Sequence, residues 1–192
     1  MMRTFLTALR GVFRRPAAAQ RRKEGIIMSA AYEKLIQHLN EHDIRYLTGS
    51  DNRSICADFR GEVDTYRIVA MVDPDDGLFQ VFGNSPVYVP EGCRPALAET
   101  LVRANYGLKV GKFEMDFGTG DLRFQASQLL PYDTLEDQTI ERLIGTTMAM
   151  LNLYLPAILS VIYGNELPKD AVGCVEAGRR GADETDRGEA AQ

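Results

Sequence analysis

"TYRIVAMVDPDDGLFQVFG", residues 65–83, decides the fold. Two runs of β-branched, aromatic and small apolar residues flank Pro74-Asp75-Asp76-Gly77, the pattern of a β-hairpin. With Asp73 opposite Leu78, Val72 meets Phe79 and Ala70 meets Val81, which gives one apolar face. The opposite face carries Val69, Met71 and Phe82. An antiparallel sheet with one side in water alternates more cleanly than this. A second surface, from this chain or another, is therefore expected over Val69, Met71 and Phe82.

Elements on either side complete the pattern. Before the hairpin, "SAAYEKLIQHLNEHD" sets Tyr32, Leu35, Ile36 and Leu39 at helical spacing behind Ser29 as N-cap. "SICADFRG" alternates Ile55, Ala57 and Phe59 as a strand. After the hairpin, "VPEGCRPALAETLVRANYGLK" is a helix with Leu97, Leu101, Ala104 and Leu108 inward. Gly107 is placed as its left-handed C′ residue. "GKFEMDFGTGDLRFQ", 111–125, is a second hairpin, with Phe117 expected opposite Leu122, Met115 opposite Phe124 and Asp116 opposite Arg123. Asp133 or Thr134 then caps a last helix that runs to about Gly164.

The predicted order is α-β-β-β-α-β-β-α, with helices and strands segregated and no βαβ alternation. That is an α+β class, two layers deep, with a mostly antiparallel sheet. Residues 1–28 read as a flexible basic extension, 29–166 as one domain and 167–192 as a mostly disordered polar tail after a short helix at 169–177. Residues 1–27 carry seven basic side chains and Glu24 as the one acid. The segment fits an upstream extension with Met28 as the alternative first residue, a transit peptide, or a basic helix on a membrane. The remainder has 15 basic and 26 acidic residues, a charge balance that repels phosphate and disfavours nucleic acid. Cys56, Cys93 and Cys174 are far apart and odd in number, as suits free thiols in a reducing cytoplasm.

Three stretches imitate functional motifs. Asp116-Phe117-Gly118 matches a kinase metal-binding tripeptide, yet the chain has no kinase phosphate loop or H-R-D segment. "DPDDG" at 73–77 has the acids of a calcium loop at the wrong spacing, and reads as a solvated turn. "HLNEH", 38–42, spells the inverted zincin pattern, with His38 and His42 one turn apart and Glu41 as a would-be base. On the helix stripe set by Tyr32, Leu35 and Leu39, His38 falls off the buried side and Glu41 faces solvent. A metal-dependent hydrolase at His38 and His42 is thus the alternative and not the main reading. The uncharged run Thr146–Gly164 approaches bilayer length. Asn152, Pro156 and Ser160 within it favour a buried core helix, kinked at Pro156, without membrane association.

"VPEGCRPALAETLVRANYGLKVGKFEMDFGTGDLRFQ" and "LYLPAILSVIYG" together resemble the YbjN-type domain family. The shared marks are V-P-E before the second helix, Arg103 and Asn105 near its end, Gly111-x-Phe113-x-x-Asp116, and a final Leu-Pro helix. Members of that family resemble, in fold, the small acidic chaperones of type III secretion. The resemblance covers about 50–164 and carries no catalytic residues. It implies a dimerising, chaperone-like or regulatory module that binds protein segments. No catalytic, cofactor-binding or metal-ligating residue is assigned and no cofactor is expected. Val69, Met71 and Phe82 are the candidate protein interface, the partners being a protein segment and a second copy.

Overall fold

The computed structural model describes residues 29–189. The expected extension at 1–28 lies outside them. Helix α1 spans Ala30–Glu41, and strand β1 Leu47–Thr48, β2 Ser54–Arg60, β3 Thr65–Asp73 and β4 Leu78–Asn84 follow. Helix α2 is Arg94–Tyr106, strands β5 and β6 are Lys112–Met115 and Leu122–Leu129, α3 is Asp137–Tyr163 and α4 Pro168–Glu189. The strands form one antiparallel sheet in the order β1-β2-β3-β4-β6-β5. The α+β class and the antiparallel sheet are as the sequence implies; strand β1 is additional, and the short helix expected at 169–177 is the longer α4.

One sheet face holds the core. In register, Ile55, Ala70, Val81 and Ala126 form one row, and Ala57, Ile68, Gly83, Phe124 and Phe113 the next. Helices α1, α2 and α3 pack onto these rows, through Leu35 and Leu39, Leu97 and Leu101, and a long stripe of α3, while α4 packs on α2 and α3 and adds Ala171 and Val172 to the core. Each fully buried Leu, Ile or Phe contributes about 1.5–3 kcal/mol relative to exposure, so this layer carries most of the hydrophobic stabilisation. The run 146–164 is a core helix here, burying Thr147, Leu151, Tyr154, Leu155 and Ile158 among others. It passes through Pro156 as one helix. Pro156 lies on its exposed side, where only the Asn152 carbonyl loses its intrahelical donor.

Four expectations need correction. The second hairpin pairs Met115 with Leu122, Phe113 with Phe124 and Glu114 with Arg123, two residues away from the predicted register. Asp116 is the cause: its Oδ1 accepts from the N–H groups of Gly118 (2.6 Å) and Thr119 (2.9 Å), so it belongs to the loop and not to the strand. A two-residue slip keeps every side chain on its face, which is why the apolar sorting could not detect it. Gly107 is right-handed, at φ −96°, because the Leu108 N–H bonds the Asn105 carbonyl in place of a left-handed cap. Asp133 does not cap α3; its Oδ2 takes the Ala30 N–H at 2.9 Å and closes the start of α1, beside the Ser29 cap. The positive φ of Tyr132 and Asp133 breaks the chain there, and α3 starts at Asp137. Finally, the helix expected at 169–177 is α4, which runs on to Glu189 in place of the expected disordered tail: Pro168 and Asp170 suit its first turn, and Ala171 and Val172 are buried in the core. Tyr154 Oη of α3 donates to Glu176 Oε1 of α4 at 3.2 Å.

Gly83 sets how closely α3 approaches the sheet. A Cβ there would stand 2.5 Å from both Leu151 Cδ1 and Thr147 Cγ2, inside van der Waals contact. Both neighbours are buried and hemmed in. Gly83→Ala is expected to destabilise the chain by about 1–3 kcal/mol through overpacking. Urea unfolding checks this, and Gly92→Ala, with open space around its Cβ, is the matched control.

Candidate functional site

The other sheet face carries no helix among the described residues, and its rows follow from the same register. Leu47, Cys56, Val69, Phe82, Gln125 and Lys112 lie side by side. Ser54, Met71, Gln80 and Ser127 form the next row, and Asp73, Leu78 and Leu129 the one after. Val69 and Phe82 belong to this face and stand outside the main core cluster.

The three predicted interface residues differ in access. Val69 is 8% exposed and Phe82 2%, while Met71 is half-buried. The Arg123 guanidinium lies over the Phe82 ring, 4.6 Å from its centroid, a cation–π lid. Sequence reasoning missed Leu47 and Leu129, which are 66% and 71% exposed and lie on the same face, Leu47 in the row of Val69 and Phe82 and Leu129 two rows away. Leu47 could have been found only by recognising the two-residue strand β1. Leu129 required the register of β6 against β4.

The sheet edges are unequal. At β5, the Asn105 side chain accepts from the Phe113 N–H (2.7 Å) and donates to the Phe113 carbonyl (3.1 Å). That amide occupies the outer edge as a neighbouring strand would, so addition of a strand there is blocked. At the opposite edge, β1 pairs only with Ile55 and Cys56 of β2. The rest of β2, from Ala57 to Arg60, has no strand beyond it among the described residues.

A polar row closes one end of the face: Asp58, Arg67, Asn84, Arg123 and Glu114 in register. Arg67 donates to both oxygens of Asp58, at 2.9 and 3.2 Å. Arg123 donates from Nε (2.9 Å) and Nη2 (2.7 Å) to Glu114 Oε2, and Lys112 sits 2.9 Å from Oε1. The hydrogen bonds from Arg67 hold Asp58 below the ordinary carboxylate range. Burial pushes Glu114 up, but the bonds from Lys112 and Arg123 outweigh it and the net direction is down. Every charge in this row has an opposite partner. Burial also pushes the Cys56 thiol up, which leaves it a poor nucleophile.

The sequence motifs resolve as follows. Asp116-Phe117-Gly118 is the hairpin loop, and the backbone bonds from Thr119 and Gly118 hold the Asp116 carboxyl low. In "DPDDG", Asp73 Oδ1 accepts from the N–H groups of Asp75 and Asp76, and Asp75 pairs with Arg53 at 2.9 Å. His38 is not off the buried side: it is 3% exposed and bonds Asp137 at 2.8 Å. The long α3 starts over α1 there, which the α1 stripe alone could not reveal. Glu41 is exposed and accepts from Gln37.

Glu114, with its folded pKa lowered, adds stability that is complete above the unfolded value of about 4.3. That stability is lost as pH falls through the folded value. Glu114→Gln removes this dependence. Urea midpoints from about pH 6 down to about pH 3 should show wild type above the variant at the upper end, with the two profiles converging toward the acid end. Parallel profiles would mean that the Arg123 lid does not depend on Glu114.

The whole sheet, most of α3 and the first two helices fall within a match to the YbjN family, described as "Putative bacterial sensory transduction regulator", over residues 31–160. Among solved structures, the chain is similar to one reported as "Crystal structure of YbjN, a putative transcription regulator from E. coli". The two share 11% identity with a TM-score of 0.48, over 69% of this chain and 90% of that one. A search of the curated proteins gives no match. The family match begins in α1 and ends within α3, and the chain belongs to the YbjN family.

Proposed function

We propose that this chain is a non-enzymatic regulatory module that dimerises and holds a protein segment in a chaperone-like manner, using the helix-free sheet face. One observation carries the reading. All four helices gather on one side of a six-stranded sheet, and on the other side Leu47 and Leu129 are exposed. Val69, Met71 and Phe82 lie between them and are the proposed contact residues.

The dimensions suit a protein partner. Six strands of two to nine residues, about 4.8 Å apart, give a face of roughly 600 Å². A standard protein–protein interface takes about 800 Å² from each side. The family description as a sensory transduction regulator agrees with a binding role. Unpaired Cys56, Cys93 and Cys174 suit a reducing compartment, so we place the module in the cytoplasm. The alternative, hydrolysis at His38 and His42, loses its base, since Glu41 is exposed and engaged with Gln37.

Met71 is half-buried, so Met71→Glu puts a charge into the proposed contact at small cost to the fold. Light scattering after size exclusion should give a dimer for the full chain, and a dissociation constant at least about tenfold weaker for Met71→Glu. The melting temperature should move by no more than a few degrees. A chain that stays monomeric at every concentration and retains no protein segment contradicts the proposal.

A further inference from the structure

We infer that His38, His42 and Glu141 form a binding site for one divalent transition-metal ion of the zinc class, joining α1 to the start of α3. This is independent of the docking face, which lies on the other side of the sheet from the helices. One ligand atom from each of the three residues lies within 4.8 Å of the others. The two imidazole rings are 4.3 Å apart between centroids and tilted by 32°.

The hydrogen bonds around the rings fix which nitrogens are available. His38 Nδ1 is 2.8 Å from Asp137 Oδ1, and the other Asp137 oxygen is 2.6 Å from Lys34 Nζ. The ionised carboxylate only accepts, so the neutral His38 ring carries its proton on Nδ1 and its lone pair on Nε2. His42 Nδ1 is 2.9 Å from the His38 carbonyl oxygen, which also only accepts. Its Nε2 is likewise left with a lone pair, 4.0 Å from Glu141 Oε1. Both histidines are thus set as the tautomer that ligates through Nε2, each with Nδ1–H held by a carboxylate or a backbone carbonyl. That outer support is what orients histidine ligands in metal sites. Asp137, with both oxygens engaged, is a positioning residue for His38 and not a ligand.

Two imidazole nitrogens and a carboxylate oxygen suit zinc-class ions better than calcium or magnesium, which take oxygen donors. Around one zinc ion, with bonds of about 2.0–2.1 Å, the donors stand roughly 3.3 Å apart. Glu141, more than half exposed, is free to swing toward the two rings and close the remaining distance. The carboxylate comes from α3 and not from Glu41 of the H-x-x-E-H motif, so the ion bridges two helices. With three protein donors the fourth position stays open to water or to a donor from a partner.

The test uses the full chain, purified without an affinity tag and stripped with chelator. Zn²⁺ titration by calorimetry and Co²⁺ titration by visible absorption should each saturate at one equivalent, and Zn²⁺ should raise the melting temperature. His42→Ala and Glu141→Gln, both at exposed positions, should each weaken binding by about 100-fold or more while the metal-free melting temperature stays near wild type. Absence of saturable one-equivalent binding overturns the site. So does wild-type affinity in both variants, or a cobalt–thiolate charge-transfer band placing the ion on a cysteine.

Discussion

The close approach of α3 to the centre of the sheet is the contact on which the other features depend. Gly83 opens the space for it, and Thr147 and Leu151 fill that space. Because α3 crosses the middle strands so near, α1, α2 and α4 find their partners on the same side, around it. The layer arrangement follows: one thick apolar core, one sheet, and a second sheet face with no helix to bury it among the described residues. The chain manages that face with local means. Arg123, anchored on Glu114, closes over Phe82, and Gln80 and Gln125 lie along the stripe.

The ends of the sheet show the same division between what is sealed and what is left open. At β5 the Asn105 amide satisfies both backbone groups of Phe113 and so fastens α2 to an edge strand. At β2 the pairing with β1 stops after two residues. A sheet blocked at one edge and unpaired along most of the other leaves only the β2 side with backbone groups that a further strand could pair.

How much was legible depends on the range of the interaction that fixed each feature. The β3–β4 register was readable to the residue because a short turn ties Asp73 to Leu78. The β5–β6 register was readable only to the face, since Asp116 bonds backbone groups that composition does not advertise. His38 was misplaced because its burial comes from α3, about a hundred residues further along. Leu47 escaped because a two-residue strand has no periodicity of its own. Only the start of helix α4, near 169–177, was legible, because its apolar content is confined to a few residues around Ala171 and Val172 that bury against distant helices. The family, by contrast, was visible in packing marks such as Asn105 and Phe113 that proved to touch one another.

The central claim, that the helix-free face closes against another protein surface, can be read from a thiol already present on it. Cys56 stands between Leu47 and Val69 in that row, while Cys174 is exposed on α4. Alkylation of the full chain, resolved by residue with mass spectrometry, reports access to both at once. The account predicts that Cys56 labelling slows as protein concentration rises through the self-association range, with Cys174 labelling unchanged. Equal, concentration-independent labelling of Cys56 throughout that range would contradict it.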